Sequence, residues 1–270
     1  AVIFVRFVAL AAASLTTASG VLAQPIGEQP ACPPHMDQAM IDAGLLNLSQ
    51  LQHQGQLIFD ARFNFLDGRG RPFSTGGGAP RAIPGPDFIR TSAPDSTSCA
   101  GCHNQPRSGG AGDFVANVFV LAQTLDPVTQ SVSPQFSDER NTLGMMGAGP
   151  IEMLAREMTA ELQATRDQAR ALAAATNHNV TRALRAKGVD FGTITVRPDG
   201  KIDPTGIQGV DWDLVVKPFH QKGAVVSIRE FNNNALNHHH GMQTVERFGA
   251  NTDPDGDGVM NEISTGDVTA

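Results

Sequence analysis

The sequence predicts a mainly α fold with long loops and a small β-hairpin insertion. Three observations lead there. Apolar residues recur at helical spacing from Met36 to Phe59 and again from Ile151 to Ala175. Between these segments, residues 66–98 are rich in Gly, Pro, Ser and Asp, the composition of a long loop. Residues 188–202 read as two short strands around a Pro198-Asp199-Gly200 turn.

The elements follow in chain order. Val5 to Leu15 is apolar and small, with Arg6 beside it, and Val21-Leu22-Ala23 offers a small-x-small cleavage site. Residues 1–23 are therefore expected to be a signal peptide. The run is too short to span a membrane; its alternative is a buried N-terminal helix. The missing initiator Met predicts that the sequence starts inside the signal's charged region. Residues 24–44 are expected to be a linker, Pro-rich over 24–36. The helical pattern near Met36 runs to Phe59, with Gly55 as its weak point. Gly76-Gly77-Gly78 lacks the Lys-Ser/Thr ending of a phosphate-binding loop. Together with Pro84-Gly85-Pro86 it predicts a surface loop wrapping a cofactor edge. Phe114–Leu121 is a short apolar run, strand or helix, and 122–138 a polar loop. Ile151, Leu154, Met158 and Leu162 mark the apolar face of the best helix, 151–175. Ser227–Phe248 is a further helical or loop segment.

Composition narrows the function. The 270 residues suffice for one large domain or two small ones. A net charge of -7 argues against nucleic acid as a partner. It suits an exported protein that meets a basic redox partner. There is no tyrosine, which excludes a tyrosine radical or axial ligand from this chain, and Trp212 is the one tryptophan.

Cys99-Ala100-Gly101-Cys102-His103 carries the chemistry. It reads C-x-x-C-H, the attachment motif of a c-type haem. Two thiols add across the two vinyl groups, and the adjacent imidazole takes the iron as proximal ligand. A thioredoxin-like site would need a βαβ pattern nearby, and none is visible. A zinc site would need a second ligand pair at tight spacing, yet the remaining cysteine is Cys32. Covalent haem c on Cys99, Cys102 and His103 is the expectation. Export agrees with it, because such attachment occurs outside the bacterial inner membrane, which makes a periplasmic protein. Cys32 follows Gln29-Pro30-Ala31, which lacks a lipobox leucine. It is either a free thiol or half of a disulfide.

The iron's other face decides the activity. Asn237-His238-His239-His240-Gly241-Met242 supplies candidates. His239, His240 and Met242 are candidate distal ligands, and His239 and His240 are candidate catalytic acid–base residues. The alternative is a set of pocket-lining histidines that orient water or contact a propionate. Met145 and Met146 are either axial or core methionines. His220, with Lys222 close by, is a further pocket candidate. Arg229 would pair with a haem propionate, or form a surface salt bridge.

Asp253-Pro254-Asp255-Gly256-Asp257-Gly258-Val259-Met260-Asn261 matches the first nine positions of an EF-hand loop. Asp253, Asp255, Asp257 and Asn261 are candidate calcium ligands. Position twelve is Ser264 in place of Glu, with Glu262 or Asp267 as substitutes. The alternative is a solvated acidic turn.

Several stretches together resemble the di-haem oxidoreductases related to bacterial cytochrome c peroxidases and MauG-type enzymes. They are Gly55-Gln56-Leu57-Ile58-Phe59-Asp60-Ala61-Arg62-Phe63, the segment Ser98 to Pro106, Gly147-Ala148-Gly149-Pro150-Ile151-Glu152, Lys217-Pro218-Phe219-His220-Gln221-Lys222-Gly223 and Ser227-Ile228-Arg229-Glu230-Phe231. The likeness covers most of 45–270, and its haem motif alone is specific. It implies a cytochrome c-like haem domain over 45–250. It also implies a second haem domain, for which residues 251–270, the acidic segment with the candidate calcium loop, would be the linker. No second C-x-x-C-H is present, so the chain reads as an N-terminal fragment, its partner being that second domain or a redox protein. In such enzymes one haem relays electrons and the other meets peroxide, and Trp212 is a candidate relay between them. The expected function is a peroxidase-like oxidoreductase domain. The alternatives are a mono-haem electron carrier with two strong axial ligands, and a haem-binding structural or sensor module.

Overall fold

The computed structural model describes residues 28–70, 94, 96–112, 115–116, 140–220 and 223–270. The signal segment 1–23, the glycine run at 76–78, the loop 122–138 and Lys222 lie outside them. About 40% of the described chain is helical, joined by a small antiparallel sheet, so the fold is more mixed than a mainly α reading implies. Among the described residues no helix is long and apolar enough to cross a membrane.

The first helical segment is two helices. Helix α1 (Gln38–Asp42) is capped by Asp37, and α2 (Leu48–Asp60) by a reciprocal Asn47–Gln50 capping box. The break falls at Gly44, whose φ of 68° suits a residue without a Cβ. Gly55 sits inside an unbroken α2. A 3₁₀ turn (Phe65–Asp67) follows, and then α3 (Cys99–Cys102), a single turn. Strands β1 (Val115–Ala116) and β2 (Arg140–Asn141) pair antiparallel.

Helix α4 (Ala148–Thr176) runs for 29 residues and matches the long helix expected at 151–175. Its buried stripe is Ala155, Leu162, Ala169 and Ala173, while Ile151 and Leu154 are about half exposed. The apolar periodicity thus locates the helix, and small residues choose the face that packs.

That face covers a three-stranded meander, β3 (Val180–Ala186), β4 (Val189–Val196) and β5 (Ile202–Asp203). The expected hairpin is its β4–β5 half. Lys187 and Gly188, both with positive φ, make the two-residue β3–β4 turn that matches strand twist. Leu162, Leu184, Ile194, Val196 and Leu214 are fully buried between helix and sheet.

A second core holds Ile58, Ala61, Phe63, Leu236, Met242, Ile263 and Val268. It joins α2 to the C-terminal part of the chain, which carries α5 (Ile228–Ala235), α6 (Val245–Phe248) and α7 (Thr265–Thr269), through Leu236, Met242, Ile263 and Val268. Helix α5 is capped by Ser227 and widens at its end into a π turn over Leu236–His240. Such turns recur at functional sites because they re-aim side chains.

Candidate haem site

Between the second core and the start of α4 lies a cavity of about 1070 Å³. It lies at the upper end of the range typical of cofactor sites, about 300–1,000 Å³. Apolar side chains from three segments wall it, among them Ile58, Phe59, Phe231, Leu236, Ile263 and Val268.

Cys99, Cys102 and His103 line this cavity. The single turn α3 puts residues three apart on one side, so both thiols face the same space. The turn is anchored by its neighbours. Phe63 N–H donates to the Thr97 carbonyl at 2.9 Å, and the buried Ser98 hydroxyl donates to the Phe59 carbonyl at 3.3 Å. Gly112 packs so closely on the Cys102 carbonyl that a Cβ there would collide with it. Burial pushes the Cys99 thiol up to about 12, so it is neutral at ordinary pH.

His103 is held by residues 142–145. Its Nδ1 lies 2.8 Å from the Leu143 carbonyl oxygen. A carbonyl only accepts, so Nδ1 carries the proton and Nε2 keeps a lone pair. This is the arrangement by which proteins fix a metal-binding imidazole through its outer nitrogen. Burial lowers the His103 pKa and outweighs the backbone bonds to Leu143 and Gly110, which raise it; the net shift favours the neutral ligand form.

The π turn brings His238, His239 and His240 to the cavity wall, with His220. The three do different things. His240 is buried; Nδ1 donates to the Ser96 carbonyl at 3.1 Å, leaving Nε2 3.4 Å from the Cys99 sulfur. Its two nitrogens are thus committed beside the cysteine turn. His238 is buried and stacks on His239 at 4.7 Å and on His220 at 6.4 Å. His239 is half-buried, its ring stacked on His238 and tilted against His240. Of the cluster, His239 is the residue that lines the cavity while only half-buried; His240 sits against the cysteine turn and His238 is buried.

The other residues singled out by the sequence fall elsewhere. Met242 is fully buried in the second core and does not line the cavity, so the structure makes it a packing residue. Arg229 pairs with Glu246 through two nitrogens and donates to Thr269 Oγ1 at 2.9 Å; it is a surface ion pair away from the cavity. Met145 lines the cavity, whereas Met146 is exposed. Trp212 is exposed beside the sheet module. None of the three cysteines is in a disulfide, and Cys32 packs against the second core with its thiol pushed up to about 12 by burial.

The acidic loop is formed in part. Asp253, Asp255 and Asp257 cluster, but Asn261 bonds Asn251 through its side chain and is turned from them. Ser264 caps α7, and Asp267 is engaged by His35, Met36 and Ser264. Neither is available as a twelfth-position ligand.

The residues present fit a covalently held haem. Two thiols and an imidazole whose Nε2 keeps its lone pair line one apolar cavity of cofactor size. The carbonyls of Leu143 and Ser96, and the packing of Gly112, support them; a backbone acceptor leaves no mark in a sequence. No family model, curated protein or solved structure matches the chain.

Proposed function

We propose that this chain is an exported c-type haem protein, the haem domain of a di-haem, peroxidase-like oxidoreductase. One observation carries the reading: Cys99, Cys102 and His103 share a large apolar cavity in which His103 presents Nε2 and keeps Nδ1 on the Leu143 carbonyl. Haem bound there would supply one-electron chemistry and, with an open coordination position, peroxide reduction.

The chain's own residues divide the remaining work. Cys99 and Cys102 would hold the group covalently, and His103 would ligate its iron. Ile58, Phe59, Phe231, Leu236 and Ile263 exclude water from its faces. His239 lines the same cavity as His103. It would serve either as a second protein ligand to the iron or as the group that holds a proton near a bound peroxide. The partner is a second haem domain or a redox protein.

The position of His239 also supports a second reading, a mono-haem electron carrier with two histidine ligands. The ferric spectrum of the chain, matured with haem, separates the two. A high-spin signal that changes on adding peroxide supports the enzyme reading. A low-spin, peroxide-inert spectrum that becomes high-spin in His239→Ala supports the carrier.

A further inference from the structure

We propose that Asp253, Asp255, Asp257 and Glu262 form a site for a divalent cation of the calcium class. Glu262, at position ten of the loop, supplies the carboxylate that position twelve lacks. The inference does not depend on haem.

The three aspartates each bring an oxygen within 4.8 Å of the others. Exposed acidic clusters are common, and this one alone would mean little. Glu262 changes that. It is only 2% exposed, yet its side chain is a carboxylate. Oε2 accepts the Gln243 N–H at 2.7 Å, and Oε1 has no partner. Gln243 joins it to the cluster, its backbone N–H on Glu262 and its side chain against Asp255, and Gly68 and Gly70 abut Glu262 Oε1 and Asp255 Oδ2 in turn. Gly68 walls the side chain in: a Cβ there would occupy the space of its Cγ and Cδ.

Two neighbours share the deficit. Both carboxylate oxygens of Asp255 are shut off from solvent without a well-formed hydrogen bond. The Gln243 side chain lies beside Asp255, and neither of its polar atoms is properly bonded. Glu262 Oε1 and both Asp255 oxygens are thus buried without a well-formed hydrogen bond, with Gln243 between them. Buried polar atoms of this kind are normally satisfied, and an unpaired buried carboxylate is costly. Protonation would not cure it, because each new O–H needs an acceptor of its own. A hard cation with six to eight oxygen ligands would satisfy the carboxylates together, with Gln243 Oε1 as a neutral ligand.

The site is stitched to the cavity. Ile263, next to Glu262, lines the cavity and donates its N–H to the Gln243 carbonyl at 3.3 Å. Val245 N–H returns to the Ile263 carbonyl at 2.9 Å. A cation here would fix the segment that leaves the histidine turn.

The test is calorimetric titration of the full chain, stripped of metal by chelation, with CaCl₂ and in parallel MgCl₂. We expect calcium to bind at one site, magnesium more weakly, and the melting temperature to rise with calcium. Glu262→Gln should fold without metal, since the amide fills the same space and its oxygen still accepts the Gln243 N–H. It should bind calcium about tenfold or more weakly. If Glu262→Gln does not fold, Asp255→Asn carries the same test, with the same tenfold loss expected. Absence of calcium binding in the parent, or unchanged calcium affinity in the variant read, would overturn the proposal.

Discussion

The imidazole of His103 donates from Nδ1 to the Leu143 carbonyl at 2.8 Å, across forty residues of sequence. That bond fixes the tautomer before any ligand arrives. It also ties the short turn of the C-x-x-C-H motif to the segment leading into α4. His103→Ala should therefore abolish normal axial ligation while both thioethers still form. The spectrum of the purified variant would shift, and imidazole added to the buffer should restore part of it. An unchanged spectrum would contradict the proximal assignment.

Gly112 bears on the same turn. Its α-carbon abuts the Cys102 carbonyl, and its N–H donates to the Thr142 carbonyl at 3.1 Å. Gly112→Ala should force one of these backbones to move, at about 1–3 kcal/mol for overpacking. At roughly 2–4 °C per kcal/mol for a chain of this order, melting should fall by several degrees. Haem incorporation should fall with it, measured as the ratio of haem to protein absorbance.

The sheet module gives a control. Leu162 is fully buried between α4 and the meander. Leu162→Ala should cost about 2–5 kcal/mol and lower the melting temperature, yet leave the haem spectrum of the folded protein unchanged. A spectral change would show that the two cores are coupled.

The legible part of the fold is the part that repeats. Ile151, Leu154, Met158 and Leu162 announce α4 by their spacing, though two of them face outward and alanines do the packing. Strand β3 is hidden because a register shift between Ala183 and Arg185 breaks its alternation. At the site, Cys99, Cys102 and His103 are readable because covalent haem attachment needs those residues at that spacing. The division of labour among His238, His239 and His240 is not, since it depends on the π turn that aims each ring. Met242 shows the same limit: two residues beyond His240 in sequence, it ends in the hydrophobic core. Arg229 pairs instead with Glu246, a partner seventeen residues away that no local pattern announces.

A pH dependence follows from the pair His35 and Asp267, whose side chains meet at 2.7 Å. The Asp267 side-chain bond raises the His35 pKa above its ordinary 6.5. That contribution is full below 6.5 and fades as pH rises through the raised value. The Asp267 pKa is the net result of burial, which raises it, and of bonds from His35, Met36 and Ser264, which lower it below 3.8. Its contribution is full above 3.8 and fades as pH falls through the lowered value. The melting difference between the parent and His35→Gln should therefore be largest between these limits, near pH 4–6.5, and shrink on either side. A difference independent of pH would show that the ion pair is not its source.

The most direct measurement is haem staining of the denatured full chain after expression with a c-haem maturation system. The parent should stain, and Cys99→Ala and Cys102→Ala should each stain more weakly through one remaining thioether. The double variant should lose all covalent haem. A parent chain that carries no covalent haem, or a double variant that stains as strongly as the parent, would contradict the assignment of this cavity to haem c.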